Sequence, residues 1–164
     1  MQQKIFSQQI DEYERVIEDL AQAIEGLSSD LLTARPGPGK WSIHEVVVHC
    51  LDSDLISIER MKRIVAMEKP ALLNCDESAF IDRLLPHQQS IAESLLMLRL
   101  ARRQWARTLV ELTDEQLDRV GIHNEDGPMT VREMVPRYTQ HLKHHIGFIH
   151  RKRERLRSVY EQFA

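Results

Sequence analysis

Residues 35–61 read RPGPGKWSIHEVVVHCLDSDLISIERM, and the change of character within this stretch decides the fold. Arg35-Pro36-Gly37-Pro38-Gly39-Lys40 alternates two prolines with two glycines, a combination that no helix continues through. Trp41 follows, and Ser42-Ile43-His44-Glu45 then has the pattern of a capping box. In such a box the Ser42 hydroxyl accepts from the Glu45 N–H, and the Glu45 carboxylate accepts from the Ser42 N–H. From there to about Met67, Ile43, Val47, Cys50, Leu51, Asp54, Leu55, Ile58, Met61 and Val65 recur near one face of a helix. Cys50 lies on that apolar stripe and reads as a small core hydrophobe, not a nucleophile.

The same periodicity extends outward in both directions. Residues 5–27 carry Phe6, Ile10, Tyr13, Val16, Ile17, Leu20, Ile24 and Leu27 as a stripe, with acids on the other face. Over residues 68–86 the pattern weakens between Pro70 and Pro86, and Asn74-Cys75-Asp76 has turn character. A connector of this length predicts a crossover along a bundle in place of a tight hairpin. Residues 87–112 predict a third helix on Ile91, Leu95, Leu98, Trp105, Leu109 and Leu112. Thr113 caps a short helical turn running to about Val120, and the polar stretch GIHNEDGP at 121–128 reads as a loop. Thr130-Val131-Arg132-Glu133 is a further capping box, opening a last helix to about Tyr160 with a kink expected at Pro136. No segment sustains period-2 alternation. The expectation is all-α: a four-helix bundle forming a single domain over residues 1–164, with a long crossover between its second and third helices.

Composition narrows the function classes. The 164 residues fit one domain at roughly 150 residues each. Two cysteines make no disulfide framework, and no apolar run approaches the ~18 residues of a membrane span. The start MQQKIFSQQIDEYER lacks the features of a signal peptide, so a cytoplasmic location is expected. With 22 basic against 25 acidic residues there is no global electrostatic case for nucleic acid. The basic run at 150–157 is expected to be a solvated face near a helix C-terminus.

Eight histidines are the unusual feature. Three familiar motifs fail on spacing. Gly39-Lys40 lacks the first glycine and the Ser/Thr of a phosphate loop. His44-Glu45 and His49 have the histidines five apart where a zinc-protease helix needs four. His123-Asn124-Glu125 has no P-C-x-x-C after it. His141 and His145 survive: four residues is about 400° of helix, which stacks both imidazoles on one face where they can share an ion. Met134, Tyr138, His141, His145 and Phe148 form one stripe, so both histidines are expected to face the interior. Two hydrogen-bonded core histidines would fit the same spacing. His49, beside the main apolar face of the second helix, would complete a three-nitrogen site if it faces them; on its own it equally fits a half-buried boundary position.

These residues, in this order, resemble the DinB/YfiT-like superfamily of metal-binding four-helix bundles. The shared elements are Pro38-Gly39-Lys40-Trp41-Ser42, His49 with Asp52-Ser53-Asp54, Arg60, Asp76 and Phe80, His123-x-Glu125-x-Gly127, and His141-x-x-x-His145. The chain is most similar to the YfiT branch, whose relatives include bacillithiol-dependent transferases. The resemblance implies His49, His141 and His145 as ligands of one divalent ion, zinc or nickel, a small-molecule substrate and often a homodimer. His44, His87, His123, His144 and His150 match no ligand position and are expected at the surface or behind the ligands. Phe80 stands where the pattern usually has Trp.

An open three-histidine site can make a nucleophile of water, giving a hydrolase, or of a low-molecular-weight thiol, giving an S-transferase. The resemblance favours the thiol. Asp52, Asp76 and Glu125 are the candidate acid/base groups, each also readable as an ordinary surface carboxylate. A non-catalytic metal-binding bundle is the alternative, marked by a fourth protein ligand closing the ion.

Overall fold

The computed structural model describes residues 2–162, with side chains over 4–155. In chain order the elements are α1 (Gln2–Ile24), α2 (Ser29–Thr33), α3 (Ile43–Ala66), β1 (Ala71–Leu72), α4 (Glu77–Arg83), a 3-10 turn (Pro86–Gln88), α5 (Ile91–Leu109), α6 (Asp114–Leu117), β2 (Val120–His123), β3 (Gly127–Thr130) and α7 (Val131–Gln162). The long helices α1, α3, α5 and α7 form the four-helix bundle. The Ser42–Glu45 capping box is formed as its sequence predicts. Thr130 and Glu133 likewise exchange backbone N–H bonds, and α7 continues through Pro136.

α1 packs against α5 and α7, and α3 packs against the same two. Helices α1 and α3 therefore face each other across the diagonal. Two apolar clusters give the helix directions. One joins Phe6 and Ile10 to Met61, Ile64, Trp105, Leu109, Met134 and Val135. The other joins Leu20 and Ile24 to Ile43, Val47, Leu98, Ile146 and Ile149. From the first cluster to the second, numbering rises in α1 and α7 and falls in α3 and α5. So α1 and α7 run parallel, α3 and α5 run parallel, and the two pairs oppose each other. At 1.5 Å per residue the 24 residues of α3 span about 36 Å. The chain must travel back that distance to start α5, and residues 67–90 do so.

Between the clusters lies one buried ion pair. The Arg102 guanidinium on α5 bonds both oxygens of Asp54 on α3, at 2.8 Å from Nη2 to Oδ1 and closely from Nε to Oδ2. Its Nη1 donates to the Tyr13 carbonyl of α1 at 2.7 Å, and Nη2 to the Tyr138 carbonyl of α7 at 3.1 Å. Its face stacks on the Tyr13 ring at 4.2 Å. A single side chain thus touches all four long helices.

The expected loop at 121–128 is in fact a hairpin. β2 pairs antiparallel with β3 and parallel with β1, setting Leu72 beside His123. The buried face of β2 is Gly121 and His123, so no apolar alternation marks the strand. Gly121 is required there: a Cβ would meet Ile64 Cγ1 at 2.8 Å and Leu72 Cδ1 at 2.9 Å. One boundary and one short helix also differ from expectation. The third long helix starts at Ile91 behind a Ser90 cap, because residues 86–88 form the 3-10 turn. The five-residue α2 is too short to show a periodic stripe.

Arg102→Met, which strands the Asp54 carboxylate, is expected to lower unfolding stability by about 3–5 kcal/mol in urea melts. Adding Asp54→Leu is expected to restore most of that loss, since removing both charges leaves no buried ion unpaired.

Candidate metal centre

The opposed packing of α3 and α7 sets His49 against His141 and His145. Their three Nε2 atoms lie 3.1–3.3 Å from one another: His49 to His141 at 3.3 Å, and His145 to each of the others at 3.1 Å. His49 and His145 are buried and His141 is half-buried. The Trp41 ring lies 5.0 Å from His49 and the Phe148 ring 5.9 Å from His145, walling the cluster with apolar surface. Phe148 itself is about one-third exposed, at the edge of the stripe instead of inside it.

Burial lowers the His49 pKa to about 4, with His141 adding to the effect. Burial lowers His145 to about 3, with His49 and His141 contributing, and lowers His141 as well. All three imidazoles are therefore neutral at pH 7, the form in which they are ligands. Among the described residues His145 Nδ1 is buried without a hydrogen-bond partner.

A cleft opens beside the cluster. Its walls are His49, Asp52, Ser53, Ile56 and Arg60 from α3, Asn74, Cys75, Glu77, Phe80 and Ile81 from the crossover, and Tyr138 from α7. The crossover is fastened along α3 from end to end. Arg60 binds the Leu73 carbonyl, Glu77 Oε2 lies 3.8 Å from His49 Nε2, His87 Nε2 lies 3.1 Å from Glu45, and His44 Nε2 meets the Gln89 carbonyl at 2.8 Å. Burial alone would raise the Glu45 carboxyl, but Arg35, the Ser42 N–H and His87 outweigh it and hold it down at about 2.

Of the three carboxylates singled out from sequence, Asp52 lines this cleft, and burial raises its pKa. Asp76 caps α4, accepting the Ala79 N–H at 2.9 Å. Glu125 is exposed in the turn between β2 and β3. Glu77, which sequence reasoning missed, sits nearer the histidines, and burial raises its pKa too. Only its place in the first turn after the Asp76 cap could have pointed to it.

The remaining histidines correct one expectation. His44 and His123 are buried, because each serves a backbone. His123 Nδ1 accepts the N–H groups of Glu125 and Asp126, and Gly127 follows at φ +77°. The His123-x-Glu125-x-Gly127 pattern is thus a turn device: an imidazole binding two amides and a glycine in the left-handed region.

A four-helix bundle with three converging imidazoles beside a cleft is the class of protein that this geometry defines. The sequence model of the DinB superfamily matches residues 12–149, and the chain belongs to that superfamily. It is 29% identical to YfiT of Bacillus subtilis strain 168, named as a candidate metal-dependent hydrolase, over 90% of this chain and 85% of the relative. A similarly named protein of Bacillus mycoides is 28% identical over 94% of this chain and 88% of its own length. The solved structure of Bacillus subtilis YfiT, described as having an unusual four-helix bundle topology, superposes with a TM-score of 0.86 at 28% identity, covering 92% of this chain and 87% of that one.

The depressed histidine pKa values have a measurable consequence. In the unfolded chain these groups take up protons near the ordinary value of 6.5, and in the folded chain only near 4 and 3. Acid therefore favours the unfolded state. The melting temperature of chelator-treated protein is expected to be unaffected by these groups above pH 6.5 and to fall as pH drops from 6.5 towards 4. The fall is expected to be shallower in His145→Gln.

Proposed function

We propose that His49, His141 and His145 hold one divalent metal ion and that the protein is a metal-dependent enzyme acting on a small molecule in the adjoining cleft. One observation carries the reading: three neutral imidazole nitrogens within 3.3 Å of one another. Each Nε2 either bears a hydrogen or offers a lone pair, so among three nitrogens at least two have the same role. At least one of the three contacts is then donor against donor or lone pair against lone pair. Hydrogen bonding alone does not account for the cluster; a cation shared by three lone pairs does. The spacing fits as well, since ligand bonds of about 2.0–2.1 Å in a tetrahedral site put nitrogens roughly 3.3 Å apart.

Zinc and nickel both suit imidazole ligands. Three protein ligands is the number characteristic of catalytic zinc sites, which keep a position open. The ion would supply Lewis acidity, producing a nucleophile near neutral pH from water or a low-molecular-weight thiol. The names of the relatives favour water, hence a hydrolase; the sequence resemblance favours a thiol, hence an S-transferase. Glu77 faces the cluster and takes the role of proton acceptor, its raised pKa bringing it closer to neutrality. Asp52 is placed on the same cleft to return a proton to a leaving group. Trp41 and Phe148 exclude bulk water from the ligand side.

The position of Glu77 also supports a second reading, in which its carboxylate closes the ion and the site is structural.

Untagged protein purified without added metal is expected to contain about one zinc or nickel per chain, and His145→Ala to contain none. No metal in either, with no uptake of offered zinc, would overturn the proposal. Glu77→Gln separates the two readings: an enzyme keeps its metal and loses about 10²–10⁴-fold in turnover, whereas a structural site loses metal affinity.

A further inference from the structure

The cleft contains one charge that the histidines leave unexplained. Arg60 is more than nine-tenths buried. Its Nη1 donates to the Tyr138 hydroxyl at 3.0 Å, its Nη2 donates to the Leu73 carbonyl, and its Nε is buried with no partner among the described residues. A guanidinium has five N–H donors, so these two bonds leave most of them unused. Among the described residues Arg60 has no carboxylate within 4.0 Å. The contrast with Arg102 is plain: that guanidinium, also buried, is matched by both oxygens of Asp54. Glu77 on the same cleft feels the Arg60 charge, which opposes the effect of burial on its carboxyl, but makes no ion pair with it, so the remaining N–H donors of Arg60 are left for a ligand.

Arg60 and Tyr138 both line the cleft. The Tyr138 oxygen already accepts from Arg60, so its own hydrogen remains to be donated. Asp52 and Glu77 line the same cleft, so a doubly charged phosphoryl group would meet repulsion there. A carboxylate carries the single charge that one guanidinium balances, and its two oxygens suit a guanidinium edge and a hydroxyl together. The Tyr138 ring lies 6.0 Å from the His141 ring, within the length of a small molecule.

We infer that Arg60 and Tyr138 form a subsite for a carboxylate carried by the substrate, so that the substrate is a small carboxylic acid whose reacting atom lies at the three histidines. This rests on the cleft being the substrate site, as proposed above, and it holds whether the nucleophile is water or a thiol.

The test is an NMR titration of the ¹⁵N-labelled chain with propionate and with its neutral isostere propionamide. It is run on chelator-treated protein and again with one equivalent of zinc. Propionate is expected to saturate at about tenfold lower concentration than propionamide in both preparations, in line with the strength of charge-assisted bonds. Arg60→Gln is expected to abolish that preference. If Arg60→Gln does not fold, Tyr138→Phe, which keeps the ring, is expected to cut the preference several-fold while Arg60→Lys retains part of it. Equal binding of the two probes in both preparations overturns the subsite. So does a preference that survives Arg60→Gln or, should that variant not fold, Tyr138→Phe, since the carboxylate then sits elsewhere. A protein that takes up no zinc yet still prefers propionate supports the subsite and removes the metal reading, so the two failures are distinguishable.

Discussion

The bond between Arg102 and Asp54 fixes the heights of the helices. Arg102 reaches the backbone of α1 at Tyr13 and of α7 at Tyr138 while gripping Asp54 on α3. Apolar stripes resist sliding only weakly, because one leucine replaces another a turn away. A guanidinium with fixed partners does not tolerate the slip. Tyr138 lies about one turn before His141 and two before His145, and Asp54 lies five residues beyond His49. Holding Asp54 level with Tyr138 therefore holds His49 level with the other two imidazoles. A slip of one turn, 5.4 Å, would disperse a triangle whose edges are 3.1–3.3 Å.

The second constraint is topological. Because α3 and α5 are parallel neighbours, the chain between them has to return along the outside of the bundle. That return path lies over α3, the helix carrying His49. The open side of the cluster acquires a wall by necessity, and the wall supplies Glu77, Phe80 and Cys75 to the cleft. Its ends are anchored by strand pairing at Leu72 and by the Glu45–His87 contact.

Much of this was legible in the sequence. The long helices showed as stripes, and Ser42-x-x-Glu45 and Thr130-x-x-Glu133 marked two starts because capping is a local interaction. His141 and His145 were legible because a separation of four fixes their relative direction. His49 was placed with them mainly by family resemblance, since periodicity alone left it on a boundary. What escaped depends on contacts between distant segments. Asp54 lay in an apolar stripe with nothing to show that its partner was Arg102, 48 residues away. The hairpin was hidden because the buried face of its first strand consists of a glycine and a histidine. Glu77 was one more acid beside Asp76 until the crossover laid it against His49.

The crossover has a further consequence. Of the seven residues of α4 only Ile81 is buried, so this segment contributes little to the core. The histidines are held by α3 and α7, the helix register by α5, and neither depends on the identity of residues 74–80. Packing therefore constrains the two parts unequally. The bundle holds the three histidines under strong packing constraint, while α4, apart from Glu77 on the cleft, is only lightly constrained by packing. Changes at other positions of the crossover, Phe80 and Cys75 among them, would reshape the cleft without disturbing the packing that holds the three histidines.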